Sequence, residues 1–170
     1  MNSRMFMKYW IRIIYEMFLL MCVLIVAGII FRFSSENADE STNTASAMVS
    51  PVIQQLEESR ENHYVSLPEY YKISEFIRDI GHFIEFGILS VFVYLLIGLH
   101  VKRVEIITFG ICALYAMSDE IHQIFVAGRG ISIVDWVIDC TGASIGIFLL
   151  CLITKYIKRV KEKKKRKYER

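Results

Sequence analysis

The sequence predicts an all-α, polytopic membrane protein with four transmembrane helices, and three observations predict it. Of 170 residues, 54% are hydrophobic and 22% are charged, with a mean hydropathy of +0.39; a soluble domain disperses its apolar residues at helix or strand period instead. The apolar residues gather into four runs, each near the roughly 20 residues needed to cross about 30 Å of hydrocarbon. The polar residues inside those runs are clustered rather than scattered. Only 2 prolines and 9 glycines, with no sustained repeat before the tail, argue against a disordered or fibrous chain.

The first run covers about residues 13–31, with an uncharged centre from Met17 to Ile30. Arg4, Lys8 and Arg12 precede it, and Phe31-Arg32-Phe33 closes it without a small-x-small cleavage site, so it reads as an uncleaved anchor rather than a signal peptide. The second run, about 80–99, is apolar apart from His82 and Glu85 near its start. The third, about 106–125, is apolar to Met117 and then carries Asp119, Glu120, His122 and Gln123. The fourth, about 131–153, holds Asp135 and Asp139 in its first half. Residues 1–154 thus form the transmembrane domain and 155–170 a basic tail.

Orientation follows from where Lys and Arg flank the spans, because such residues stay on the cytoplasmic side. The three basic residues before the first span, Lys102 and Arg103 in the short link, and the tail with ten Lys/Arg against two Glu all belong inside. Both termini are then cytoplasmic, and four spans meet the rule without conflict. The long segment from Arg32 to Asp79, with nine acids against four basic residues, lies outside. Within it Val49, Val52, Ile53 and Leu56 recur at helical spacing behind Ser50-Pro51, a cap and first-turn pair, which predicts an amphipathic helix on the outer leaflet or packed on the bundle. The tail reads as a patch for anionic lipids, and no nucleic-acid partner is expected.

Topology and helix rise together put charge at one depth. At 1.5 Å per residue, Glu85, Asp119, Asp135 and Asp139 lie about 7, 9, 6 and 12 Å inside the outer ends of their spans. His82 and Glu85 share a helix face, as do Asp119 and His122, and Asp135 and Asp139. A carboxylate within a span costs roughly 2.5 to 3.5 kcal/mol at the centre, less near the interface, so these groups should face each other or a wet cavity. Five acids (Glu85, Asp119, Glu120, Asp135, Asp139) then face three cations (Arg32, Arg78, Arg129). Either one or more carboxylates are protonated by desolvation and like-charge repulsion, or a cation or cationic ligand group fills the site. The cluster itself reads as an internal ion-pair and hydrogen-bond network, as a ligand-binding or catalytic polar pocket, or as a divalent metal site on His82, Glu85, Asp119 and His122.

Smaller signals fit the same plan. Cys22, Cys112, Cys140 and Cys151 lie inside spans without paired spacing and read as packing residues. Gly128-Arg129-Gly130 is a turn that offers an arginine to phosphate or carboxylate. Gly142 and Gly146 form a Gly-x-x-x-Gly that allows close helix approach.

Four motifs in chain order resemble the VanZ-like family. They are Phe33-Ser34-Ser35-Glu36 with Ser41 and Ser46; Gly81-His82-Phe83-Ile84-Glu85-Phe86; Ser118-Asp119-Glu120-Ile121-His122-Gln123-Ile124-Phe125 with Gly128-Arg129; and Asp135 through Asp139 to Gly142. The resemblance covers roughly residues 10 to 155, and Glu36 stands where the family pattern has glutamine. It implies a multi-pass protein of the bacterial plasma membrane, in a family whose named member is associated with resistance to the glycopeptide teicoplanin. An acyltransferase-to-phosphate activity attached to some relatives finds no nucleophile–base pair or cofactor loop here.

The residues therefore predict an outer-facing pocket of Arg78, His82, Glu85, Asp119, Glu120, His122, Gln123, Arg129, Asp135 and Asp139. The family resemblance implies that it would bind or modify an envelope lipid, a cell-wall precursor or a glycopeptide. The alternative is a membrane-embedded hydrolase or transferase acting on a lipid headgroup, metal-assisted or acid/base, with His122 or Glu120 as general base and Asp119, Glu85 and Asp139 holding a cation. A proton-coupled carrier fits least, because the inner halves of the spans lack matching polar residues.

Overall fold

The computed structural model describes residues 3–59 and 67–168. They form five helices and, among the described residues, no strand: α1 (Ser3–Ser34), α2 (Ala38–Ser59), α3 (Leu67–Ile97), α4 (Val104–Gln123) and α5 (Ile133–Tyr168). Three of them contain segments long and apolar enough to cross a membrane: Phe6–Ser34, Pro68–Ile97 and Ile133–Arg166. α4 has the length, but Asp119, Glu120, His122 and Gln123 in its last turns lower its mean hydropathy.

The helices outrun the apolar runs, for identifiable reasons. α3 begins at Leu67, not near residue 80, because Pro68 falls in the first turn, where a missing N–H costs nothing, and no breaker follows until Gly81. Its 31 residues span about 46 Å, more than the roughly 30 Å of a hydrocarbon core. α5 continues through the basic tail to Tyr168 because lysine and arginine are good helix formers and favour a helix C-terminus.

α2 starts twelve residues before the Ser50-Pro51 pair expected to cap it. Its cap is Asn37: the Asn37 side chain accepts from Glu40 N at 2.9 Å, and Glu40 Oε2 accepts from Asn37 N at 3.2 Å, a reciprocal capping box. Pro51 is thus interior. The Ala47 carbonyl that its nitrogen cannot reach accepts the Ser50 hydroxyl at 3.2 Å instead. Ser41, Ala45 and Ile53 of α2 are buried, and α2 packs on α3.

α3 is central, touching α1, α2 and α4 and meeting α5 most extensively. The α3–α5 seam exists because of glycine. A Cβ on Gly142 would collide with the Phe83 backbone, and one on Gly146 with Gly87 O and Ser90 Oγ. The apolar core around that seam is Ile30, Phe86, Leu89, Val93, Cys112, Ala116 and Ala143. Two side chains tie α4 to its neighbours: Tyr115 Oη donates to Ala27 O at 2.7 Å and Trp136 Nε1 to Ala113 O at 3.2 Å. All four cysteines are free, with Cys112 and Cys140 buried.

Side-chain ties also mark one end of the bundle. Arg12 donates to Glu16 at 2.7 Å and to Leu99 O at 3.3 Å, His100 lies 3.5 Å from Glu16, and Cys151 Sγ lies 3.6 Å from Glu105. The start of α1, the α3–α4 link and the later part of α5, all rich in Lys and Arg, therefore lie together. The end of α1, the end of α4 and the start of α5 meet at the other end.

Candidate functional site

At that other end the early turns of α3 carry a polar stripe at helical spacing: Tyr71, Ser74, Glu75, Arg78, His82 and Glu85. Arg78 lies 3.5 Å from both Asp79 and Asp135, which ties α3 to the start of α5.

α4 contributes through its last turns. Asp119, Glu120 and Gln123 are buried, at 3%, 1% and 4% exposure. Gln123 Nε2 donates to Ser34 Oγ at 3.1 Å and to Asp119 Oδ2 at 3.3 Å, so the end of α1 orients an α4 carboxylate. Glu120 Oε2 accepts from Ser132 N at 2.7 Å, while its Oε1 is buried without a partner. His122 points elsewhere. It stacks on Phe31 with centroids 4.6 Å apart, and its Nε2 lies 3.1 Å from Ser35 Oγ. The single Ser35 proton goes to Phe31 O at 2.6 Å, so His122 Nε2 carries the hydrogen and donates.

After α4 the chain turns at Val126–Arg129, closed by Arg129 N to Val126 O at 3.1 Å. Gly128 has φ 77°, the position of a tight turn that requires glycine. The turn delivers Arg129 into the bundle, where its Nε is buried with no hydrogen-bond partner. Burial, reinforced by Arg78, lowers its pKa from the ordinary arginine value, against the opposing pull of Glu36, Asp119 and Asp135.

α5 begins with a second capping arrangement. Ser132 Oγ accepts from Asp135 N at 3.2 Å and donates to Asp135 Oδ1 at 2.8 Å. Asp135 is thus both a cap residue and the partner of Arg78. One turn on, Asp139 is fully buried, and neither carboxylate oxygen has a hydrogen-bond partner. His82 Nδ1, also unpartnered, lies 3.6 Å from Asp139 Oδ1, beyond ordinary hydrogen-bond length.

Ligand atoms of His82, Asp119 and Asp139 all lie within 4.8 Å of one another. Of the four metal candidates read from spacing, His82 and Asp119 come together here, joined by Asp139, which the enzyme reading places on a cation. Asp139 belongs to the group, His122 is turned toward α1, and Glu85 lines an adjacent cavity.

Two cavities flank Arg78 and Arg129, which line both. One, of about 80 Å³, reaches His82, Glu85 and Glu36 beneath Ser41, Thr44 and Ala45 of α2. The other, of about 560 Å³, is open to the surface and lined by Lys72, Glu75, Gln123, Ser132 and Asp135 among others. Lys72, Ser74 and Ser132 escaped the sequence reading. Ser74 extends the His82/Glu85 face once α3 is started at Leu67, and Ser132-x-x-Asp135 is a legible capping signal.

The family model described as VanZ/LLP1 matches residues 18–154. The chain belongs to the VanZ/LLP1 family. The match runs from within α1 to within α5 and so includes every helix that builds the polar end. With its long apolar helices, this is a VanZ-family membrane protein. No curated protein and no solved structure matches the chain.

Chemically, the polar end offers two things. The larger cavity is lined by the cations Lys72, Arg78 and Arg129 together with the carboxylates Glu75 and Asp135, the latter already beside Arg78. The adjoining group of buried acceptors, His82, Asp119 and Asp139, presents lone pairs to a cation or proton.

Proposed function

We propose that this VanZ-family protein crosses the bacterial plasma membrane four times, with both termini in the cytoplasm. The cavity at its outer end binds a phosphate-bearing envelope lipid of the lipid-linked cell-wall precursor type. The single observation that carries this reading is Arg129: a glycine-dependent turn drives a guanidinium into a cavity of about 560 Å³ and leaves its Nε buried without a partner. An unmet buried donor is costly, by roughly 1–3 kcal/mol, and a phosphate oxygen relieves that cost while matching the guanidinium fork.

The gathering of Lys and Arg at the opposite end supports the orientation. A fourth span is supported by the apolar outward face of α4, where Ile106, Phe109, Leu114, Met117 and Ile121 are exposed. The exposed basic end of α5 suits contact with anionic lipids. Cavity size narrows the ligand. A headgroup fits a space of about 560 Å³, in the usual range for small-ligand sites, whereas a whole glycopeptide does not. The glycopeptide-resistance association then follows from altering how a precursor lipid is presented, rather than from capturing the antibiotic.

The test uses the full chain in lipid nanodiscs, titrated with a polyprenyl pyrophosphate and with the neutral polyprenol. The expected result is binding of the pyrophosphate only, weakened roughly 10- to 100-fold by Arg129→Gln and unchanged by neutralising Lys163, Lys164 and Lys165. Equal binding of the neutral lipid, or wild-type affinity in a folded R129Q protein, would overturn the reading.

A further inference from the structure

We propose that His82, Asp119 and Asp139 form a site for one divalent transition-metal cation, independent of the headgroup reading. Three helices contribute one residue each: α3, α4 and α5. Their ligand atoms lie within 4.8 Å of one another. Around a tetrahedral ion with ligands at 2.0–2.2 Å, the ligand atoms are about 3.3–3.6 Å apart, a spacing that His82 Nδ1 and Asp139 Oδ1 already match at 3.6 Å. The widest separation needs to close by no more than about 1.5 Å, which side-chain torsions of Asp119 and Asp139 can supply.

Charge and hydrogen bonding point the same way. Two carboxylates and a neutral imidazole match a dication. Among the described residues neither Asp119 nor Asp139 pairs with a lysine or arginine. Both oxygens of Asp139 and the Nδ1 of His82 are buried and unpartnered, and the Asp139 side chain is only 1% exposed. A fully buried carboxylate without a donor is among the least tolerable arrangements in a protein unless a cation or a proton completes it.

A proton is the competing solution. It would sit between Asp139 and His82, which are too far apart at 3.6 Å to share it well. Asp119 is instead already oriented as a metal ligand would be, its Oδ2 held by Gln123, which Ser34 in turn engages.

The donor set selects the ion class. One imidazole with two carboxylates suits Mn²⁺, Fe²⁺ or Zn²⁺, whereas Mg²⁺ and Ca²⁺ prefer oxygen alone. Three protein ligands leave a coordination position open, and the small cavity lined by His82 gives it a route to the outside. Glu120, whose Oε1 is buried and unpartnered, supplies a further acceptor in the same polar layer.

The experiment strips full-length protein in nanodiscs with chelator and titrates it with MnCl₂, ZnCl₂ and CoCl₂ separately, reading stoichiometry by elemental analysis and imidazole ligation from the Co²⁺ absorption bands. The expected result is one ion per chain, weakened roughly 100-fold by Asp139→Asn and by His82→Asn. His122→Gln should change affinity less than threefold, because His122 faces α1. If D139N does not fold, H82N and the Co²⁺ spectrum decide alone. Sub-stoichiometric binding of all three ions, wild-type affinity in D139N or H82N, or an equal loss in H122Q overturns the site. Metal binding lost with pyrophosphate-lipid affinity intact removes this proposal alone; the converse removes the headgroup reading alone.

Discussion

At the Lys/Arg-rich end of the bundle Glu16 is met by Arg12 and His100, Arg12 also reaches Leu99 O, and Glu105 is met by Cys151. At the opposite end His82, Glu120, Arg129 and Asp139 each keep a buried polar atom with no partner, and among the described residues the only other such atom is Thr108 Oγ1. The first end settles its charges with local, partly exposed pairs. The second holds ionisable groups from α3, α4 and α5 at the same depth and leaves them incomplete. In a membrane bundle such incompleteness carries a desolvation cost, and that cost is what the proposed ligands would relieve.

The largest effect should come from breaking the seam that holds both ends in register. Gly142→Leu drives a side chain into the Phe83 backbone and should cost roughly 3 kcal/mol. The folded, monodisperse fraction in a detergent size-exclusion profile should fall severalfold. Retention of the wild-type profile would mean that α3 and α5 do not approach as described. Next comes Asp139→Asn in chelator-treated protein. Removing an uncompensated buried carboxylate should raise stability by roughly 2 kcal/mol, read as a higher Tm, whereas a lowered Tm would show that Asp139 is already satisfied without a ligand.

Ser132→Ala removes the side-chain cap of α5 while the Ser132 N to Glu120 bond survives. A loss of about 1 kcal/mol is expected, measurable as a modest drop in Tm. The smallest effect belongs to the other end. Glu16→Gln, whose partner Arg12 is 55% exposed, should shift stability by no more than about 0.5 kcal/mol, and a larger loss would erase the contrast between the two ends.

Helix content, the position of the apolar runs and the concentration of polar residues at one end were legible because hydropathy and the 3.6-residue period report on single helices. Convergence was less legible. Asp119 and His122 share a helix face by spacing, yet one turns to Gln123 and the other to Phe31 and Ser35, a choice made by the end of α1 rather than by α4. Asp139 entered the buried group because the Gly142–Gly146 contact draws α5 onto α3, which fixes which α5 residues meet His82. The start of α2 was readable in Asn37-x-x-Glu40, but Ser50-Pro51 offered a stronger-looking cap. Only the Ser50-to-Ala47 bond shows how the helix passes through Pro51.

The most direct test of the central claim is headgroup occupancy per folded molecule. Wild-type protein and the Arg129→Gln variant, purified identically from bacterial membranes, would be compared by native mass spectrometry for retained phosphate-bearing polyprenyl lipid, with Tm measured on the same samples. The account predicts that R129Q keeps the wild-type Tm within a few degrees and loses most of the lipid. Equal lipid retention at equal Tm would contradict it, as would lipid loss that only tracks loss of folded protein, since the polar end would then be a structural network.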